Sequence, residues 1–260
     1  MKIGIIGAGH MGSAMIKGWI NSKQVEAKNI SVKGGKSLTA SHLQKELDFT
    51  LINQYEDLQK MDIIFLATPT PVILPVLNEL APFIMDNKIP VVSVSAGVST
   101  QELQQVVPNH PVAQAIPNTP VQINQGITGI VYGKNLADSQ KEIINHSLSL
   151  LGNVQEVRPD NIAIFGTLAG CGPAFVDVFI EALGDGACLH GMDREMAYKV
   201  AASMIKGTAE LLLRTQDHPA QLKDNVASPG GTTIKGLVAL EKEGFRYATI
   251  QGINTIMSNE

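Results

Sequence analysis

Over the first half of the chain, short apolar runs alternate with segments of helical period. Most of the runs at 2–6, 30–33, 49–52, 62–67, 91–95 and 112–116 are rich in Val and Ile and lack strict polar alternation. Strands buried on both faces read this way, as in a parallel sheet covered by helices. Helical spacing lies between them at 10–20, 37–46, 72–82 and 100–106. Alternating strand and helix predicts an α/β fold, a doubly wound sheet of the Rossmann type.

After residue 157 the strand-like runs stop. Helical patterns follow at 174–189, 194–214 and 233–243, with a short final helix to residue 257. In the second of these, Met196, Val200, Met204, Ile205, Leu211 and Leu212 recur at helical spacing, and Asp193 stands where an N-cap belongs. These segments are rich in Ala, Gly and Leu and carry few charges. They are too apolar for one exposed layer, so subunits are expected to pack through them. The boundary is placed near Arg158, with a sheet domain at 1–158 and an all-helical domain at 159–260.

Composition narrows the class. The 260 residues are 44% hydrophobic, enough for a sizeable core. Net charge is −4 with no long basic run, which argues against nucleic acid or an anionic membrane as partner. The two cysteines, Cys171 and Cys188, have no metal-type spacing, and the six histidines are scattered. No metal site is expected, and a reducing cytoplasm fits. The start, "MKIGIIGAGHMG", is too short and glycine-rich for a signal peptide, and no other segment approaches ~20 consecutive apolar residues. A soluble protein is expected.

That same start carries chemistry. Gly7, Gly9 and Gly12 form G-x-G-x-x-G between a predicted strand and a predicted helix. Gly7 allows the tight turn, Gly9 lets backbone approach a pyrophosphate, and Gly12 lets helix and strand pack closely. A dinucleotide phosphate would rest on the helix N-terminus. The end of the second strand, "ISVKGGKS", has no carboxylate for a ribose 2′-OH. Lys33, Lys36 and Ser37 are placed to meet a 2′-phosphate, which favours NADP; simple solvation of these lysines is the competing reading.

Near the C-terminus, "SPGGTTIKGLVALEK" opens a helix with two glycines and two threonines. Gly230 and Gly231 clear side chains from unpaired N–H groups, while Thr232 and Thr233 add hydroxyls. A carboxylate-bearing substrate suits such a start, although a glycine-rich cap without ligand has the same pattern. Two other features have plainer alternatives. Cys171 in "AGCGPAF" reads as a nucleophile or, more simply, a packing thiol. Asp177, Glu181 and Asp185 form a column that reads as a metal site or, more simply, a polar or interface face.

Six stretches together resemble the pyrroline-5-carboxylate reductase family: "GIIGAGHMGSAM", "DIIFLAT", "VVSVSAGVS", "IPNTP", "GCGPAF" followed by "FIEALGDGA", and "QLKDNVASPGGTTIKGLVALEKEGFR". The resemblance implies a Rossmann domain, a helical domain forming an intertwined homodimer of the kind that assembles further into a decamer, and reduction of 1-pyrroline-5-carboxylate to L-proline by NADPH, with NADH as the alternative cofactor. It implies cofactor contacts at Gly7, Ala8, Gly9, His10, Met11 and Gly12, at Asn53 near the adenosine, along the nicotinamide side at Ala67, Thr68, Pro69, Thr70, Ser95, Ala96 and Gly97, and at Asn225. The substrate carboxylate would meet Gly230, Gly231 and Thr232, and Thr233 would hydrogen-bond the ring nitrogen as the catalytic residue. Pro69, Gln114 and Cys171 depart from the usual Lys, Arg and Ser. They leave open a divergent NADP-dependent imine or hydroxy-acid oxidoreductase, or a non-catalytic NADP-binding regulator.

Overall fold

All four residues of Ile3–Ile6 are buried, as are all four of Ile63–Leu66, and the two segments pair as parallel strands. This is what a two-sided apolar run requires once helices cover both faces. The computed structural model describes residues 1–35 and 37–258. It divides into two compact units, Met1–Gly170 and Cys171–Glu260.

The first unit contains β1 (Ile3–Ile6), α1 (His10–Asn21), β2 (Ile30–Lys33), α2 (Thr39–Leu47), β3 (Thr50–Ile52), β4 (Ile63–Leu66), α3 (Thr70–Ile84), β5 (Val91–Ser93), α4 (Thr100–Val106) and β6 (Val112–Pro117). It continues with β7 (Gly126–Tyr132), α5 (Asp138–Ser149), β8 (Gly152–Glu156) and α6 (Ile162–Gly166). The sheet order is β3-β2-β1-β4-β5-β6-β7-β8. From β3 to β6 all pairs are parallel; β7 runs antiparallel to β6, and β8 parallel to β7. The order reverses between β1 and β4, the crevice where such sheets take ligands.

The strands expected from buried runs are found, and the sheet is two strands longer than the pattern predicts. β7 is broken by glycines: a Cβ on Gly129 would lie 2.5 Å from the Phe165 ring of α6. β8, "GNVQE", is a largely exposed edge. Trp19 packs α1 as expected. It is fully buried, sits 5.0 Å from the Phe65 ring, and donates from Nε1 to the Ser147 carbonyl (2.8 Å).

His110, also fully buried, donates from Nε2 to the Ile89 carbonyl (2.7 Å), while its Nδ1 is buried without a partner among the described residues. Burial holds its pKa below the ordinary 6.5, against the opposing effect of the Ile89 bond. The unfolded chain therefore takes up this proton at a higher pH than the folded one. The stabilisation is complete above about pH 6.5 and is lost as pH falls toward the depressed folded value. Thermal unfolding between about pH 7.5 and about pH 5.5 should show the melting temperature falling with pH, and His110→Gln should flatten that slope. An unchanged slope would remove His110 as its cause.

The second unit contains α7 (Gly172–Leu189), α8 (Arg194–Thr215), α9 (Pro219–Asn225), α10 (Thr232–Lys242) and α11 (Phe245–Met257). Asp193 caps α8 as expected, accepting from the N–H groups of Glu195 (3.1 Å) and Met196 (2.9 Å). Gly184 of α7 lets the Tyr198 ring of α8 pack tightly. Among the described residues of this unit only Gly184, Ala197 and Ala201 are buried. Apolar side chains instead line two open grooves of about 490 and 480 Å³. The helical run Pro159–Leu189 is long and apolar enough by length and composition to cross a membrane. Counting uninterrupted apolar residues misses it, because Gly, Thr and Asp interrupt the run without making it polar.

Candidate active site

The described site residues expected in the first unit gather at the carboxyl ends of β1 to β5. β1 stops at Ile6, and the chain turns at Gly7 with φ 102°, a conformation that favours glycine. The Gly7 N–H donates to the Lys33 carbonyl (2.9 Å), and the Ala67 N–H donates to the Ile6 carbonyl (2.8 Å). A Cβ on Gly7 would sit 2.5 Å from the Ala67 carbonyl oxygen, and one on Gly12 would run into the carbonyl oxygen of Gly7. Gly9 differs: a Cβ there would meet nothing within 4 Å. Gly7 and Gly12 hold the turn together, whereas Gly9 leaves open the space before α1. That helix begins at His10 with no side-chain cap, so the first-turn N–H groups of His10, Met11 and Gly12 face a gap where an anion fits. Ser13 steadies the turn by donating from Oγ to the Ala8 carbonyl (2.9 Å).

A groove of about 500 Å³ runs from this turn past Lys33, Asn53, Tyr55 and Thr68. Lys33 Nζ donates to the Asn53 carbonyl (2.9 Å) and lies 4.7 Å from the centre of the Tyr55 ring. These contacts hold its charge at the end of β2, where a ribose 2′ substituent is read. Burial, together with a hydrogen bond to Glu79, pushes the Tyr55 phenol up to about 12, so this wall of the groove stays neutral. Thr68 Oγ1 is buried and has no partner among the described residues. An orphaned hydroxyl at this point and an open cradle at Gly9 both fit a dinucleotide. Lys36 lies outside the described residues.

Beyond Thr68 two loops are tied to each other. Thr70 Oγ1 and Ser95 Oγ are hydrogen-bonded at 2.7 Å, and a Cβ on Gly97 would lie 2.7 Å from Thr70 Cγ2. Pro69 precedes α3 and contributes no N–H. Ala67, Thr68, Thr70, Ser95, Ala96 and Gly97 thus line adjacent strand ends. Tyr55 carries no motif that would single it out, and its place in the groove emerges only from the fold. Asn118, within "IPNTP", is likewise structural. Its Nδ2 donates to the Ala169 carbonyl (3.2 Å), and its Oδ1 accepts from the Ile127 N–H (2.9 Å).

In the second unit, Gly230 has φ 70°, and the Gly231 N–H closes a turn on the Ser228 carbonyl (3.0 Å). A side chain on Gly231 would press on Ser228 Oγ, at 2.5 Å. α10 starts at Thr232 without a side-chain cap, and Thr232 and Thr233 are exposed on its first turn. The first turn therefore offers uncapped N–H groups with two exposed hydroxyls beside them. Asn225 ends α9 and accepts from Gln221 Nε2 (2.9 Å). Of the acidic column, Asp185 pairs with Arg194 (2.6 Å), and no metal-type cluster occurs among the described residues. Cys171 is a half-buried free thiol at the start of α7.

Known proteins match along the whole chain. A family model described as pyrroline-5-carboxylate reductase dimerisation matches residues 159–260, and one described as NADP oxidoreductase, coenzyme F420-dependent, matches residues 2–97. The pyrroline-5-carboxylate reductase of Synechocystis is 38% identical, covering 97% of this chain and 94% of its own. The Escherichia coli enzyme of the same name is 33% identical, covering 98% and 96%. The crystal structure of Plasmodium falciparum pyrroline carboxylate reductase with NADP bound superposes with a TM-score of 0.88 at 29% identity, covering 100% of this chain and 96% of that one.

Proposed function

The chain belongs to the pyrroline-5-carboxylate reductase family, and on that premise we propose that it reduces 1-pyrroline-5-carboxylate to L-proline with NADPH, the closing step of proline biosynthesis. The observation that carries this reading is the pairing, within one chain, of a dinucleotide cradle at Gly7–Gly12 with an anion-receptive helix start at Gly230–Thr233. The functional boundary falls at 158/159, between a cofactor part and a part for dimerisation and substrate. The protein works in the cytoplasm as a homodimer, or as a decamer built from such dimers.

His10, Met11 and Gly12 would hold the pyrophosphate of NADPH through their N–H groups, Asn53 its adenosine and Lys33 its 2′-phosphate. Thr68, Thr70 and Ser95–Gly97 would face its nicotinamide half. When bound, the nicotinamide supplies the two electrons and one hydrogen that turn the ring C=N into C–N. The remaining proton belongs to the ring nitrogen. The substrate carboxylate would meet the backbone of Gly230, Gly231 and Thr232, with the Thr232 N–H as donor, since the Gly231 N–H closes the turn on Ser228. The Thr233 hydroxyl is too weak an acid to give up its proton outright. It orients a ring nitrogen that is already protonated or receives its proton from water. Most of the acceleration then comes from holding both reactants in place.

The test mixes purified protein with NADPH and pyrroline-5-carboxylate and follows the near-ultraviolet absorbance of the reduced cofactor. Consumption that depends on both is expected. Folded protein that binds NADPH without consuming it would instead indicate a regulator. Thr233→Ala should lower kcat about a hundredfold while NADPH binding is retained. Equal turnover would show that Thr233 does not face the reacting nitrogen.

A further inference from the structure

Gln114 is the third residue of β6, only 3% exposed, and pairs in register with Ser93 of β5. A buried glutamine in a two-sided strand must find hydrogen-bond partners or destabilise the core. Its Nε2 donates to two consecutive carbonyls just past the end of β5, Ser95 (3.2 Å) and Ala96 (2.9 Å). Both amide protons are thereby used. The loop held in this way is also tied through Ser95 Oγ to Thr70 at the start of α3. In a sheet of this order, a dinucleotide whose pyrophosphate sits on the β1 turn and whose adenosine lies over β2 places its other half over β4 and β5. Gln114 therefore grips the loop on the nicotinamide side from behind, without facing the groove of Lys33 and Asn53.

We propose that Gln114 is a positioning residue that sets the Ser95–Gly97 loop for the nicotinamide half of the cofactor, and that it leaves recognition of the adenosine half untouched. The inference rests on the NADPH reading above. Gln114→Met keeps the volume and removes both donors. Binding to the full chain is measured by titration with two probes, NADPH and adenosine 2′,5′-bisphosphate, which lacks the nicotinamide half. Gln114→Met should raise the Kd for NADPH about tenfold and leave that for the bisphosphate within about twofold. Equal weakening of both probes, as from a general loss of structure, would overturn the proposal, and so would unchanged NADPH binding.

Gln114→Glu covers the case in which the methionine variant does not fold. A carboxylate facing two carbonyl oxygens has no proton to donate, so this variant holds the loop only when its carboxyl is protonated. NADP⁺ binding by Gln114→Glu, divided by that of the unsubstituted protein at each pH, should strengthen severalfold from about pH 8 to about pH 6. A constant ratio would overturn the proposal. Because no substrate is present in these titrations, failure to reduce pyrroline-5-carboxylate would count against the proposed activity and not against Gln114. Unsubstituted protein that binds neither probe would overturn the cofactor reading, and this inference with it.

Discussion

Gly12→Ala is expected to abolish measurable NADPH binding and to lower the melting temperature by about 5 °C. A methyl group at residue 12 would be driven into the Gly7 carbonyl oxygen, and it would also meet the side chain of Ala67 at 3.3 Å. Neither the Gly7 carbonyl nor the β4 end is a flexible side chain that can swing aside. The start of α1 must move off the sheet, carrying with it the N–H groups of His10 and Met11. Overpacking of this kind costs about 1–3 kcal/mol, which for a chain of this size is a shift of several degrees. Gly9→Ala is the matched control. Its new methyl group meets nothing within 4 Å, and the residue's φ of −70° suits alanine. The control should therefore melt with the unsubstituted protein and yet bind NADPH more weakly, because the methyl group occupies the space the pyrophosphate needs. Calorimetry and a fluorescence titration on the two variants separate the roles. If Gly9→Ala binds normally, the phosphate does not approach the backbone there. If Gly12→Ala binds normally, the cradle is not built on this turn.

The contrast between the two glycines also shows where sequence reading stops. That Gly7, Gly9 and Gly12 sit between a strand and a helix is legible, because strand and helix each announce themselves by period. β1, β2 and β4 to β6 are legible because burial on both faces demands apolar runs rich in Val and Ile, while β3, at the sheet edge with only Ile52 buried, shows as a shorter run. β7 is hidden because Gly129 makes room for the ring of Phe165 and Gly126 for Val121, both outside the local pattern. β8 is hidden because an edge strand needs little apolar content. α5 reads weakly because only Ile144, Ser147 and Leu148 are buried along it. Gln114 stands out in sequence merely as a departure from a familial arginine. Its partners lie nineteen and eighteen residues earlier on a neighbouring strand end, so its grip on Ser95 and Ala96 is a property of register. Lys33 is a middle case: its charge is visible in "ISVKGGKS", while the Asn53 carbonyl and Tyr55 ring that hold it are not.

Val178→Asp should have the second large effect, and the isolated chain gives no hint of its size. Val178 is 65% exposed, and a polar substitution at such a surface residue normally changes stability by no more than about 0.5 kcal/mol. Here it lines a groove with Phe175, Phe179, Leu240 and Phe245, in a unit that buries almost nothing of its own. An apolar helical layer of this kind folds stably only against another apolar layer, and the matching family model is one for dimerisation. In the assembled protein the new carboxylate would be desolvated without a partner, at a cost of several kcal/mol. The unsubstituted protein should sediment as a dimer or larger, with a melting temperature that rises with concentration. Val178→Asp should sediment as a monomer, melt at lower temperature and lose turnover, while the first unit keeps its NADPH binding. A lipid bilayer is the rival cover for this run, but α7 carries Asp177, Glu181 and Asp185 at four-residue spacing along one face, which a protein partner and water accommodate and hydrocarbon does not. Flotation of the detergent-free protein with liposomes would favour the bilayer. Unchanged sedimentation and melting of Val178→Asp would show that no second copy covers this groove.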